Sequence, residues 1–202
     1  MPITEKQVER STSLPVAINR FLDDVGAWID ACISNSSSYE PNNGRGQLSY
    51  TSAWECYLQQ RPSSEVMDFL AERRDAVRAH FITKDEWHHG YWRMSDVRQG
   101  SEHFGVFLTF LSRLNPDDDT TRVQLLDVTE HYGNWSSDVP SWFEAGSGLF
   151  HSLHFGTDGI LDDTTGWNMP DHLRCVDLCL TAYDIGGGDH FLEFAHAYAA
   201  RW

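Results

Sequence analysis

Three observations predict an all-α chain. Apolar residues recur at helical spacing through most of the 202 positions. Ser, Asp or Pro opens those runs, and Asn-Pro or glycine closes them. No stretch shows the sustained apolar and polar alternation of a strand.

The first helix is carried by Leu14, Ile18, Phe21, Leu22, Val25, Trp28, Ile29 and Cys32, with Ser13 as N-cap and Pro15 in the first turn. A polar connector, residues 34–47, follows. A second helix covers about Tyr50–Gln60 and stops before Pro62. A third runs from about Ser64 to His80 and buries Val66, Phe69, Leu70, Val77 and Phe81. After the long loop 82–100, Ser101 caps a fourth helix whose apolar side is Phe104, Phe107, Leu108, Leu111 and Leu114.

Asn115-Pro116 ends that helix, and Asp117, Asp118 and Asp119 start the next, which turns Val123, Leu126 and Val128 inward. Residues 133–169 are irregular apart from one short helix near Trp142–Leu149. Pro170 opens a helix to about Ile185, Gly186-Gly187-Gly188 forms a flexible turn, and a last helix runs to Trp202. That helix is apolar to its final residue, which suggests a fragment of a longer protein or an end packed on another chain. The expectation is one α-helical domain over 1–202.

A formal charge of −15 disfavours nucleic acid and anionic membrane surfaces as partners. The N-terminus lacks a basic and apolar leader, and no apolar run is long enough to span a bilayer, so the expected location is cytoplasmic. Cys175 and Cys179, four apart on one helix, read as buried thiols.

The ring and proton chemistry sits in the loops. Residues 86–104 hold three histidines, three carboxylates and four aromatics. Trp87, Tyr91 and Trp92 offer stacking faces for sugar rings, with His88 and His89 as hydrogen-bonding partners. Asp96, Glu102 and His103 are the catalytic candidates, because glycoside cleavage needs one protonated and one ionised carboxyl, assisted by a proton carrier. The plainer reading is that the aromatics anchor the loop, Glu102 complements a helix dipole and His103 packs.

In HYGNW, Tyr132 and Asn134 resemble the tyrosine and amide partners by which uronate lyases abstract a proton and neutralise a carboxylate; the plainer reading is a helix cap at Gly133-Asn134 with the Trp135 indole packed beside it. Trp142 joins the aromatic set. In 150–159 and 168–174, His154 and Asp171, and after them His151, are candidate polar ligand contacts, and Arg174 suits a substrate carboxylate. Asp158 sits in a T-D-G turn, where its carboxylate suits turn closure.

No metal or other cofactor is called for. H-E-x-x-H and C-x-x-C are absent, and adjacent His88 and His89 point apart. His172, Cys175 and Cys179 share a face but read as buried packing. Asp117–Asp119 invites comparison with metal-diphosphate clusters of terpene cyclases, and reads better as helix-start chemistry. Nucleophile-elbow and phosphate-loop motifs are missing.

WHHGYWRMSDV at 87–97, HYGNW at 131–135, HFGTDG at 154–159 and FLEFAHAYAARW at 191–202 together resemble the α/α-toroid carbohydrate-active enzymes, the six-hairpin glycosidases and related polysaccharide lyases. The resemblance implies helical hairpins in a partial or complete toroid, with loops 82–100 and 133–169 lining one mouth. Seven or eight helices are visible, fewer than a closed toroid needs. The implied function is hydrolysis of an oligosaccharide or other small substrate in an aromatic cleft, with uronate elimination as the alternative. From another class, a non-catalytic helical module binding sugar or protein also fits, and the chain end leaves room for self-association.

Overall fold

The computed structural model describes residues 14–36, 48–92, 101–132, 135, 141, 143–144, 146–150, 152–153, 160–162 and 169–201, and is mostly helical. At 92, 149–150, 152–153, 160–162 and 169–172 the description covers the backbone alone.

Helix α1 (Leu14–Asn35) carries the expected apolar stripe, but only Ile29 of it is fully buried. Leu14, Ile18, Phe21 and Trp28 are exposed. The reason is local: the helix meets its neighbour at its middle, where a Cβ on Gly26 would lie 2.6 Å from the Tyr57 hydroxyl. Trp28 meets Trp54 edge-on there, and Arg61 donates to Asp23 at 2.6 Å.

The expected second helix is a 3₁₀ turn (Ser49–Trp54) running into α2 (Glu55–Gln60). Helix α3 (Ser64–Thr83) starts where Ser63 accepts a hydrogen bond from the Val66 amide. It buries Val66, Leu70, Val77 and Phe81, as its spacing predicts.

The chain is helical again from residue 101 to 114, ending in α4 (Thr109–Leu114). Phe104, Phe107, Leu108, Phe110 and Leu111 are all buried, so this segment is apolar on more than one side and occupies the centre of the core. Its first part, His103–Leu108, is a π-helical turn, which spacing does not reveal. Arg174 packs on it so closely that a Cβ at Gly105 would lie 2.7 Å from the arginine stem. Thr109 Oγ1 donates to the Gly105 and Val106 carbonyls that the wide turn displaces. Asn115 closes α4 as expected, its amide on the Leu111 carbonyl.

Helix α5 (Asp119–His131) has Asp118 as N-cap, accepting from the Thr120 and Thr121 amides. Its buried face is Thr121, Gln124, Leu125 and Val128; Val123, expected inside, is exposed. Helices α6 (Met169–Asp184) and α7 (Asp189–Ala199) form an antiparallel hairpin. The glycine turn between them is bonded rather than loose. Gly186 takes φ +93°, Gly187 donates to the Ala182 carbonyl, and a Cβ on Gly187 would lie 2.6 Å from that oxygen.

Among the described residues, three two-stranded antiparallel ladders interrupt the helices, each too short to show as alternation: β1 (Trp87–His88) with β2 (Tyr91–Trp92), β3 (Phe143–Glu144) with β4 (Leu149–Phe150), and β5 (Ser152–Leu153) with β6 (Ile160–Asp162). The second replaces the short helix expected near Trp142–Leu149. Gly148, at φ +74°, donates to the Glu144 carbonyl and turns the chain, while Phe143 packs on Phe194 at 4.7 Å.

One buried cation joins α3 to α5. Arg74 is 5% exposed and donates to Asp75 at 2.9 Å, to Thr121 Oγ1 at 3.0 Å and to Asp118. Replacing Asp118 with Ala removes the helix cap and leaves a guanidinium under-paired in the interior. Urea unfolding is expected to show a loss of about 3–5 kcal/mol; a change under about 0.5 kcal/mol would contradict this role.

Candidate functional site

The site is built by a hairpin laid on a helix. After α3, Asp85 takes φ +55° and the Glu86 amide bonds the Phe81 carbonyl, which turns the chain back. Trp87 then pairs with Trp92 and His88 with Tyr91. The two loop residues, His89 and Gly90, both have positive φ (+47° and +98°), as a tight hairpin twisted with its strands requires. A Cβ at Gly90 would lie 2.8 Å from the Val128 Cβ, so the tip rests its backbone directly on α5.

That seating brings three ionisable groups together. His89 Nδ1 lies 2.9 Å from Asp127 Oδ1, and His131 Nδ1 lies 3.3 Å from the same oxygen. His131 Nδ1 is also 2.8 Å from the Asp127 carbonyl. The two imidazoles stack at 3.6 Å with a 5° angle between their planes. Asp127 and His131 share a helix face through i, i+4 spacing, and the hairpin supplies the third group. One ligand atom from each residue falls within 4.8 Å of the others, the group among the described residues with metal-binding spacing.

Asp127 also borders a cleft of about 400 Å³ between α3, the hairpin and α5. Trp87, Gly90 and Val123 form its apolar part. Asp75 and Arg78 face it from α3, and Asp119, Thr120, Gln124 and Asp127 from α5. Gln124 is largely buried, and its Oε1 has no hydrogen-bond partner. A second cleft of about 570 Å³ lies beside Pro62, Met67 and Leu114; its Arg113 is already engaged by Glu55 at 3.1 Å.

Of the residues singled out from sequence, Trp87 lines the first cleft and His89 enters the histidine cluster. Glu102 is half-buried in the first turn of the central helical segment and is not among the cleft's lining. His103 is fully buried beneath Trp87 (ring centroids 5.8 Å apart) and against Phe107, with no partner for either nitrogen. Burial, with the nearby Arg74 charge, pushes its pKa down to about 3, so the ring is a neutral core residue at ordinary pH. Tyr91 is also fully buried, and His88 stands half-buried with its ring 4.6 Å from that of His89.

Trp135 packs among Tyr132, Phe191 and Phe194, away from the lining of the cleft. Tyr132 is buried with its hydroxyl 3.0 Å from Cys179 Sγ; burial raises its pKa well above the ordinary phenol value and pushes the Cys179 thiol up to about 12. Arg174 donates to Ser101 Oγ at 2.9 Å, fastening α6 to the central segment. Asp117 and Asp119 are exposed and Asp118 caps α5, which removes the terpene-cyclase comparison. Asp96, Asn134, Trp142, His151, His154 and Asp158 lie outside the described residues, as do the side chains of Trp92, Asp171 and His172.

The residues that sequence reasoning missed are Asp127, His131 and Gln124. A signal for the first two was present in the D-x-x-x-H spacing of a well-marked helix. Nothing local tied it to His89. In comparisons with family models, curated proteins and solved structures, nothing matches this chain. The toroid resemblance therefore stands on the sequence motifs alone.

The buried imidazole makes a titratable prediction. Its folded pKa lies below the unfolded value of 6.5, so the unfolded chain binds the extra proton between pH 6.5 and 3. Stability present above pH 6.5 is lost as pH falls through that window, at about 1.4 kcal/mol per unit. His103→Phe, compared with wild type by urea unfolding across the window, is expected to flatten the profile by that slope. Parallel profiles would contradict the buried, neutral assignment.

Proposed function

We propose that the protein is a carbohydrate-active enzyme of the hydrolase class, taking a neutral, hydroxyl-rich ligand in the cleft between α3, the β1–β2 hairpin and α5. The observation that carries this reading is Gln124: a buried, unpartnered amide oxygen at a cleft wall calls for a ligand that donates a hydrogen bond. Trp87 supplies the apolar surface that the C–H face of a sugar ring meets. The carboxylates Asp75, Asp119 and Asp127 supply acceptors for hydroxyls and the groups from which an acid and a base are drawn.

Those three carboxylates against Arg78 also disfavour an anionic substrate, which counts against uronate elimination. The buried Tyr132, placed away from the cleft lining, counts the same way. The α/α-toroid class is kept as the architecture of this reading on the sequence motifs, with which a helical hairpin such as α6–α7 is compatible. No described helix is long and apolar enough to cross a membrane, and all four cysteines are free thiols, which suits a reducing cytoplasm.

The test is a titration of the full chain with neutral oligosaccharides and, separately, uronates, read by tryptophan fluorescence and calorimetry, beside turnover of chromogenic glycosides. Neutral sugars are expected to bind, with Trp87→Ala and Gln124→Ala each weakening them about tenfold or more (about 1.4 kcal/mol). Turnover that falls in Asp127→Asn supports the hydrolase reading. Binding without turnover leaves the sugar-binding module, and no binding of any saccharide overturns both.

A further inference from the structure

We infer that His89, Asp127 and His131 form a binding site for a divalent first-row transition ion at the rim of the cleft. The inference stands apart from the sugar reading, since it rests on the three ligands and not on what fills the cleft.

The donor set is two imidazoles and one carboxylate, which suits zinc and its neighbours in the row and is too nitrogen-rich for magnesium or calcium. The spacing fits as well. Ligand atoms about 2.0–2.2 Å from a tetrahedral ion lie about 3.3–3.6 Å apart. The two imidazole Nδ1 atoms stand 2.9 and 3.3 Å from Asp127 Oδ1 before any ion is placed between them. Admitting an ion at the carboxylate requires one imidazole to rotate out of the stack, with the Asp127 carboxylate and the backbone left in place.

The ligands come from two elements held in fixed relation. Asp127 and His131 lie one turn apart on α5. His89 sits at a tight hairpin tip whose neighbour Gly90 rests on Val128. Such pre-positioning lowers the ordering cost of chelation. A chain of formal charge −15 also draws cations to its surface.

Binding has a defined chemical balance. The ion takes the Nδ1 lone pair of each ring, so any proton on those nitrogens leaves or moves to Nε2, and the metal replaces the imidazole–carboxylate contacts. The parallel stack at 3.6 Å points the two ring planes the same way, so an ion held by both turns one ring out of parallel. Because Asp127 lines the cleft, the ion borders whatever ligand the cleft takes.

The experiment strips the full chain with chelator and titrates it with Zn²⁺ by calorimetry and with Co²⁺ by its visible d–d absorption, no saccharide present. His89→Asn is the first variant, because asparagine accepts the left-handed turn conformation and leaves the hairpin intact; His131→Gln is the second. One equivalent of ion per chain is expected, with affinity falling roughly a hundredfold in each variant and with Zn²⁺ raising the melting temperature of wild type only. No saturable binding overturns the inference, as does binding that both variants retain. Saccharide binding in a chain that binds no metal ion would leave the sugar reading standing while the metal site falls, and metal binding without saccharide binding would do the reverse.

Discussion

The buried guanidinium of Arg74 sets the geometry on which the rest depends. Its Nη1 reaches both Asp118 and Thr121 at the start of α5, while Asp75 engages it from its own helix. An arginine this deep is tolerable only if its donors are met, so α3 and α5 have little freedom to slide past one another. The hairpin leaves the end of α3 and its tip lands on α5. Fixing one helix against the other therefore fixes where His89 arrives. Gly90 completes the registration by letting backbone touch Val128, which a larger residue at φ +98° would prevent.

Around that frame the polar groups divide into two sets. Tyr132 with Cys179, and Arg174 with Ser101, close contacts between α6 and the rest of the core and stand apart from the cleft lining. Gln124, the cleft carboxylates and the His89–Asp127–His131 group face a space instead. Both sets contain residue types that look catalytic in a sequence. Environment separates them: Tyr132 and Arg174 spend their polar atoms on partners within the protein, whereas Gln124 brings an unfilled acceptor to the wall of the cleft.

The helical framework was legible because its signals are local. Ser63, Asp118 and Asn115 end or begin helices through their own side chains or backbone amides, and Val66, Leu70, Val77 and Phe81 mark a face by spacing alone. The site was less so. His-Gly between two tryptophans is a two-residue hairpin loop, but strands of two residues carry no period to read. His103 reads as a proton carrier because it follows Glu102; its burial follows from its place beneath Trp87 and against Phe107. The meeting of His89 with Asp127 spans 38 positions and depends on the Arg74 clamp, a tertiary fact with no local signature. The exposed stripe of α1 shows the opposite failure: its spacing is helical, yet spacing cannot say which face finds a neighbour.

The central claim is the seating of the hairpin tip on α5, and nuclear magnetic resonance reads it directly. In the metal-free protein, ring protons of His89 and His131 at a 3.6 Å stack should show mutual Overhauser contacts and ring-current shifts. Both effects should vanish when Arg74 is replaced by Met in a variant that remains folded. Histidine rings that show no contact in wild type, or that keep it unchanged without Arg74, would contradict the account.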